Sequence, residues 1–220
     1  MKDISWMYNI GVEENKGWFM LGNMNALFQI DMQTYICKLL TILPDCTFPD
    51  FRRNSGCIKC EQTIVCMPYL GEYIWTYNIL SGDIKKIEVN NPKHKALKIQ
   101  NFWSEGSIIY ALTQGLEKIL KIDANKGVVL EYFDLSNKNI NLITSIKAKQ
   151  RIYMLSSEKP LLFEYSIDTG TLQEHVVSGL QKKISNLTFD GKDFWFSGYG
   201  KEVYVWNKEQ NKLKIINDFP

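Results

Sequence analysis

The chain has 220 residues, of which 45% are hydrophobic and 23% are charged, and its net charge at pH 7 is +2. This composition excludes global disorder, and the balanced charge gives no reason to expect a nucleic-acid partner. No apolar stretch is long enough for a signal peptide or a membrane span, so we expect a cytoplasmic protein without a membrane partner. The five cysteines lie close together in the sequence, which is untypical of a disulfide framework.

Along the chain, one short pattern recurs: two apolar residues, a variable residue, an apolar or aromatic residue, and a polar residue. Its copies are residues 27–31, 74–78, 119–123, 162–166 and 203–207, at spacings of 41–47 residues. Four residues after four of the copies stands glycine or asparagine, which tolerates a left-handed backbone. These residues are Gly82, Gly127, Gly170 and Asn211. The first copy has Tyr35 at this position, so we expect its turn to differ.

Each copy is the third strand of a unit that reads strand A, turn, strand B, loop, strand C, turn and strand D. Aromatic and β-branched residues dominate these units, and no helical periodicity is present. Strand C is apolar at most positions, which indicates that both of its faces are covered. Repeated four-stranded units predict an all-β fold, a β-propeller of five four-stranded antiparallel blades in a single domain, residues 1–220. The approximate blades are residues 1–44, 45–90, 91–135, 136–178 and 179–220.

Two alternatives to this arrangement stay open. A β-sandwich also contains many short strands, but it does not require the same turn chemistry at five matching positions. The chain starts with a strand A and ends with a strand D, so no blade combines strands from the two ends. The chain is therefore either a five-bladed monomer closed by side-chain packing or an incomplete part of a six- or seven-bladed propeller, completed by self-association.

The stretches from strand C to strand D, such as residues 77–82 and 165–170, resemble those of kelch-like, quinoprotein-like and YVTN-type bacterial propellers. The resemblance extends over the whole chain and implies the propeller fold, but no specific family. The Trp-Asp pair of WD repeats and the double glycine of kelch motifs are missing. Thr-Gln-Gly-Leu at residues 113–116 is similar to a motif of five-bladed glutamine cyclotransferases, although strand C follows it at once.

The connections fall into two groups at opposite ends of each blade. The B–C and D–A loops lie at one end, the loop end, and the A–B and C–D turns lie at the other, the turn end. The loop end has the longer connections and a small excess of positive charge, so we expect a polar or anionic partner there. The candidate residues are Asn23, Asn25, Arg52, Arg53, Tyr69, Glu72, His94, Gln114, Lys159 and Tyr199.

Several of these candidates have side chains suited to recognition. Arg52 and Arg53 can bind a carboxylate or phosphate through their forked guanidinium groups. Tyr69 and Tyr199 can stack on a sugar or a base. Four tryptophans at repeat positions are expected in the core instead: Trp18, Trp75, Trp195 and Trp206.

Cys57 and Cys60 form a Cys-x-x-Cys sequence, but residues three apart on a strand point to opposite faces of the sheet. No second such pair completes a zinc site, so we expect neither a metal nor another cofactor. If Glu61 and Gln62 form a two-residue turn, Cys57 lies opposite Cys66 across the hairpin.

No catalytic residue is assigned from the sequence. His94 lies in a polar loop, His175 lies in a strand D, and the aspartates Asp31, Asp123 and Asp168 are explained by turn formation. The favoured hypothesis is a non-catalytic binding or protein-interaction module, whose partner is another protein, a polar or anionic small ligand, or a glycan. The alternative is a hydrolase, a lyase or a glutaminyl-cyclotransferase-like enzyme that acts on a small polar ligand or glycan at the central channel.

Overall fold

The computed structural model describes residues 7–21, 25–44, 54–90, 96–114, 118–135, 142–156, 158–180, 184–198 and 200–217. Within these ranges the chain forms twenty β-strands, and no helix is present. The strands form five four-stranded antiparallel sheets, and in each sheet consecutive strands are neighbours. The predicted all-β class and the five four-stranded blades are therefore confirmed.

The strands follow the predicted order A, B, C and D in every blade. Blade 1 contains β1 (Met7–Glu13), β2 (Lys16–Leu21), β3 (Ala26–Asp31) and β4 (Cys37–Ile42). Blade 2 contains β5 (Asn54–Cys60), β6 (Thr63–Pro68), β7 (Ile74–Asn78) and β8 (Ile84–Ile87). Blade 3 contains β9 (Lys98–Glu105), β10 (Ile108–Gln114), β11 (Lys118–Asp123) and β12 (Val128–Asp134). Blade 4 contains β13 (Leu142–Ala148), β14 (Arg151–Ser156), β15 (Leu161–Ser166) and β16 (Leu172–Val176). Blade 5 contains β17 (Ile184–Phe189), β18 (Phe194–Gly198), β19 (Val203–Asn207) and β20 (Lys212–Ile216).

The chain divides into two compact units, Met1–Asp134 with blades 1 to 3 and Leu135–Pro220 with blades 4 and 5. In the first unit, β6 contributes to two cores. Ile64 packs with residues of blade 1, and its neighbour Val65 packs with residues of blade 3. Both faces of this blade are therefore covered, as the apolar strands predict. In the second unit, one core of residues from blades 4 and 5 includes Phe194 and Phe196.

The tryptophan predictions are mostly confirmed. Trp18, Trp75 and Trp206 are buried. Trp195 is only partly buried, and its indole Nε1 donates to the Asp190 carboxylate at 2.7 Å. Because this acceptor lies in the A–B turn, Trp195 stabilises the turn rather than the core.

The C–D turns of blades 1 to 4 share one backbone hydrogen bond between residues four apart, whereas in blade 5 the Asn211 N–H donates to Lys208 O. Asp31 accepts hydrogen bonds from the backbone of Gln33 at 2.9 Å and of Thr34 at 2.8 Å. Asn78 makes the equivalent bonds in blade 2. The expectation that Tyr35 changes the first turn is wrong, since Tyr35 adopts φ 56°. The equivalent residues, Gly82, Gly127, Gly170 and Asn211, have positive φ as well.

The predicted Cys57–Cys66 register and the opposite faces of Cys57 and Cys60 are confirmed. Cys57 lies opposite Cys66 in the β5–β6 pair. Cys57 packs in the core between blades 1 and 2, whereas Cys60 packs in the core between blades 2 and 3. Burial raises the pKa of Cys57 to about 12 and the pKa of Cys60 to about 11.

We expect these buried thiols not to react with N-ethylmaleimide in the native protein, whereas the exposed Cys37 reacts. The reactive species is the thiolate, and burial disfavours it at Cys57, Cys60 and Cys66. Peptide mass spectrometry after brief labelling measures the difference, and labelling in denaturant provides the reference for full reaction. Modification of Cys57 or Cys66 at the rate of Cys37 would contradict the burial.

Candidate functional site

Half of the predicted site residues can be placed. Asn25, Tyr69, Glu72, Gln114 and Lys159 are described by the structure. The other candidates, Asn23, Arg52, Arg53, His94 and Tyr199, lie outside the described residues.

Asn25 is a structural residue of the loop end. Its side chain is 2% exposed, and Nδ2 donates to the carbonyl oxygen of Leu43 at 3.0 Å. The backbone N–H of Leu43 donates in turn to the carbonyl oxygen of Asn25 at 2.8 Å. The prediction placed Asn25 among the surface candidates, and the structure instead uses its amide to hold the end of strand D of blade 1. A buried amide in this role is not open to a ligand.

Tyr69 and Gln114 are brought together by Lys98, which the sequence does not single out. The Lys98 ammonium lies 5.0 Å from the centroid of the Tyr69 ring. Lys98 also pairs with Gln114 across β9 and β10. We call Tyr69, Lys98 and Gln114 the loop-end cluster.

Backbone pairing between blades 2 and 3 holds the loop-end cluster in place. Gly71, in the B–C loop of blade 2, forms a β-bridge with Leu97. The N–H of Leu97 donates to Gly71 O at 2.7 Å, and the N–H of Gly71 donates to Leu97 O at 3.3 Å. Because Leu97 precedes Lys98, this bridge sets Lys98 against the loop that carries Tyr69. No local signal in the sequence indicates this pairing.

A second lysine of the loop end also lies over a tyrosine ring. The Lys118 ammonium is 5.4 Å from the Tyr132 centroid. The Tyr132 hydroxyl accepts a hydrogen bond from the backbone N–H of Asn90 at 3.0 Å. The Thr113 hydroxyl accepts from the N–H of Lys118 at 2.9 Å and donates to its carbonyl at 3.0 Å. These bonds hold both ends of the B–C loop of blade 3.

Glu72 and Lys159 are exposed but belong to different units. Glu72 lies in the B–C loop of blade 2, near Tyr69 in the sequence. Lys159 lies in the B–C loop of blade 4, where its backbone N–H donates to Ser156 Oγ at 3.4 Å.

His175 belongs to a cluster of charged side chains around the buried Glu164. Glu164 is 1% exposed, and its Oε2 contacts His175 Nε2 at 2.8 Å. The Lys208 ammonium and the Arg151 guanidinium also contact this carboxylate. We call Arg151, Glu164, His175 and Lys208 the Glu164 cluster. Lys208 lies in the C–D turn of blade 5, so the cluster joins blade 5 to blade 4 toward the turn end.

The described residues contain no group of three or more His, Cys, Asp or Glu side chains placed to bind a metal ion. Over the same residues, no helix has the length and apolar character that a membrane span requires.

No family model and no curated protein sequence matches this chain. Solved structures, in contrast, are similar to this chain. PorZ, an essential bacterial surface component of the type-IX secretion system of human oral-microbiomic Porphyromonas gingivalis, is similar with a TM-score of 0.67 and 14% identity. This match covers 97% of this chain and 28% of the PorZ chain, so the chain spans less than a third of PorZ. A streptogramin B lyase structure is similar with a TM-score of 0.72 and 16% identity, over 97% of this chain and 69% of the lyase.

Both neighbours have β-propeller-type folds. This chain is a β-propeller. The likeness therefore confirms the predicted propeller fold, and it assigns no specific family. At these identities the likeness establishes the fold, and the function of the propeller has to be argued from its own residues.

In the propeller, His175 is held in its neutral form. Burial lowers its pKa below the ordinary 6.5, and the charges of Lys208 and Arg151 lower it further. Two cations already contact the Glu164 carboxylate, so a third positive charge beside them is disfavoured. His175 therefore contributes a neutral ring rather than a second ion pair.

We expect the free energy of unfolding of the propeller to decrease as the pH falls below about 6.5. The unfolded chain protonates His175 before the folded chain does, so the stabilisation is complete above this pH and lost below it. One histidine contributes at most about 1.4 kcal/mol per pH unit. Urea unfolding of wild type and His175→Gln between about pH 5 and pH 8 measures this. Identical pH profiles for the two proteins would contradict the lowered pKa.

Proposed function

We propose that this propeller is a non-catalytic binding module whose loop end binds a polar or anionic partner. The observation that carries the proposal is the loop-end cluster, where Lys98 lies over the Tyr69 ring beside Gln114. An acidic segment of another protein fits these side chains, and so does an anionic small ligand or glycan.

The three side chains supply complementary interactions. Lys98 provides an ammonium with up to three hydrogen-bond donors, and Gln114 provides both a donor and an acceptor. Tyr69 provides a flat apolar surface and a cation–π contact of about 0.5–1 kcal/mol at an exposed site. This contact restricts the lysine before a partner arrives, which lowers the entropy lost on binding.

The chemistry of these groups supports recognition rather than catalysis. A catalytic site needs several titratable groups within about 3 Å of one reacting atom. The described histidine, His175, contacts Glu164 within the unit of blades 4 and 5, whereas the loop-end cluster belongs to the unit of blades 1 to 3. The lyase among the similar structures shares the fold at 16% identity, and its activity is not transferred to this chain.

Affinity capture from cell extract, with quantitative mass spectrometry, tests the proposal. Tyr69→Ala and Lys98→Ala are compared with wild type, and Arg52→Ala/Arg53→Ala tests the two arginines predicted for the same end. Lys126→Ala is the matched control, because this lysine is exposed and lies in a turn at the opposite end of its blade.

We expect the control to recover the wild-type partners and the loop-end variants to lose them. Higher salt should weaken capture by the wild type, because salt screens the charge of the partly exposed Lys98 ammonium. Recovery of the same partners in the same amounts by Tyr69→Ala and Lys98→Ala would reject the loop end as the binding surface.

A further inference from the structure

Two cysteines of blade 2 lie directly opposite each other inside the protein. Cys57 on β5 pairs with Cys66 on β6, and both side chains belong to the core between blades 1 and 2. Directly opposite residues of an antiparallel pair have Cα atoms about 4.5–5.5 Å apart, and their side chains share one face of the sheet. A disulfide joins cysteines whose Cα atoms lie about 4.4–6.8 Å apart. The pairing of β5 with β6 therefore provides the separation that a disulfide needs.

The other described cysteines are not placed to compete for this pairing. Cys60 lies opposite Thr63 and packs in the core between blades 2 and 3, on the other face of the sheet. Cys37 is exposed on β4, the last strand of blade 1. Cys46 lies outside the described residues. Among the described cysteines, only Cys57 and Cys66 share both a sheet face and a cross-strand position.

In the structure both cysteines are free thiols, and their burial opposes oxidation. The Cys57 thiol donates to the carbonyl oxygen of Trp18 at 3.3 Å. Burial raises the pKa of Cys66, and the neighbouring Cys57 raises it further. Because the thiolate is the species that attacks a disulfide, the pair reacts poorly once blades 1 and 2 have packed together.

The hairpin that aligns the two cysteines is local, whereas the core that buries them is not. Glu61, in the turn between β5 and β6, adopts φ 52° and connects the strands directly. The side chains that cover the cysteines, such as Trp18 and Met20, come from blade 1. Local contacts form faster than contacts between distant segments. The hairpin therefore brings the thiols together while solvent still reaches them.

We propose that Cys57 and Cys66 are a redox pair whose state is set when the chain folds. The thiolate of one cysteine attacks oxidised glutathione or another small disulfide, forms a mixed disulfide and releases one small thiolate. The other cysteine attacks the protein sulfur of the mixed disulfide and releases the second small thiolate. Both cysteines are oxidised, the small disulfide is reduced to two thiols, and the two cysteine protons pass to the released thiolates.

Packing against blade 1 then protects whichever state has formed. Cys57 is 2% exposed and Cys66 is 0% exposed, so a small thiol or disulfide does not reach either sulfur in the folded protein. A chain that folds under oxidising conditions has β5 joined covalently to β6, and a chain that folds under reducing conditions keeps two thiols. The pair thus records the redox conditions of folding, and it is independent of the binding proposed for the loop end.

Refolding of the full chain tests the proposal. Reduced, unfolded protein is diluted either into reduced glutathione alone or into a mixture of reduced and oxidised glutathione, and free thiols are then blocked with N-ethylmaleimide in denaturant. Trypsin cleaves after Lys59, so the disulfide joins the peptides 54–59 and 60–85. Mass spectrometry without reduction should find this linked pair after refolding in the mixture and not after refolding in reduced glutathione alone.

Cys60→Ala is the matched control, because Cys60 is a buried cysteine of the same strand that faces the other core. This variant should keep the link, which can then join peptide 54–59 to peptide 60–85 only through Cys66. Cys66→Ala should lose the link. If Cys66→Ala does not fold, fragmentation of the linked wild-type peptides still shows which cysteine carries it.

Three measurements on folded wild type test the protection and its effect. Folded, reduced protein should form the disulfide about tenfold more slowly than the refolding chain, or slower still, in the same mixture. Folded, oxidised protein should resist reduced glutathione until denaturant is added. The oxidised form should unfold at a temperature about 5 °C higher than the reduced form, because the disulfide restricts the unfolded chain.

Absence of the Cys57–Cys66 link after oxidative refolding would overturn the proposal, and so would a dominant link of either cysteine to Cys37, Cys46 or Cys60. Equal oxidation rates for the folded protein and the refolding chain would show that the core does not protect the pair. A lower unfolding temperature for the oxidised form would show that the disulfide strains the hairpin, which excludes it as part of the folded propeller.

Discussion

Replacing Glu164 with alanine is expected to lower the free energy of unfolding by about 3 kcal/mol, which is the lower part of the range for breaking a buried ion pair. The substitution leaves Arg151, His175 and Lys208 gathered around a site without an anion. Glu164 is 1% exposed, so water does not replace the carboxylate freely. The side chain of Arg151 is 50% exposed and that of Lys208 is 30% exposed, and their partial hydration keeps the loss from being larger.

Urea unfolding of Glu164→Ala measures this loss, and Glu131→Ala is the matched control. Glu131 lies on β12, its side chain is 70% exposed, and it pairs with Lys121 at 3.3 Å. An exposed pair contributes about 1 kcal/mol or less, so the control should change stability little. Equal losses for the two variants would show that the Glu164 cluster does not stabilise the junction between blades 4 and 5.

Features that depend on neighbours in the sequence were predictable. A polar residue, a short turn and a residue with left-handed backbone recur in every blade, and each of these preferences acts within five residues. The opposition of Cys57 and Cys66 also followed from counting outward from Glu61 and Gln62. Repetition strengthened these local signals, because five similar hairpins agree on one architecture.

Features that depend on distant contacts were not predictable. Lys98 meets Tyr69 only because Leu97 pairs with Gly71, and nothing near Lys98 in the sequence indicates this. Glu164 is charged within an otherwise apolar strand, but its partners come from three other segments of the chain. Asn25 was assigned to the loop-end surface because it lies in the B–C loop of blade 1, whereas its hydrogen bond to Leu43 permits burial.

The error at Tyr35 has a different cause. Glycine preference at a left-handed position is a statistical tendency, and the hydrogen bonds of the Asp31 turn override it. The sequence showed that tyrosine is unusual at this position. It did not show whether the turn would adopt another backbone or whether Tyr35 would adopt the left-handed conformation.

Phe194→Ala is expected to destabilise the propeller by about 3–5 kcal/mol, because it removes a large ring from a packed core. Phe194 is 1% exposed, and its ring centroid lies 4.6 Å from those of Tyr153 and Phe189 and 5.8 Å from that of Trp206. These contacts connect blade 5 with blade 4. Thermal and urea unfolding measure the loss, with Phe194→Leu as the control that retains most of the apolar volume and should cost less.

The double variant Glu164→Ala/Phe194→Ala shows whether the two contacts act together. Tyr153 packs edge-on against Phe194 and also lies under the Lys208 ammonium, 5.9 Å from its ring centroid. Residues that share a partner are coupled by about 0.5–3 kcal/mol, so the two losses should not add. Strict additivity would show that the aromatic core and the Glu164 cluster stabilise blades 4 and 5 separately, despite their common contact with Tyr153.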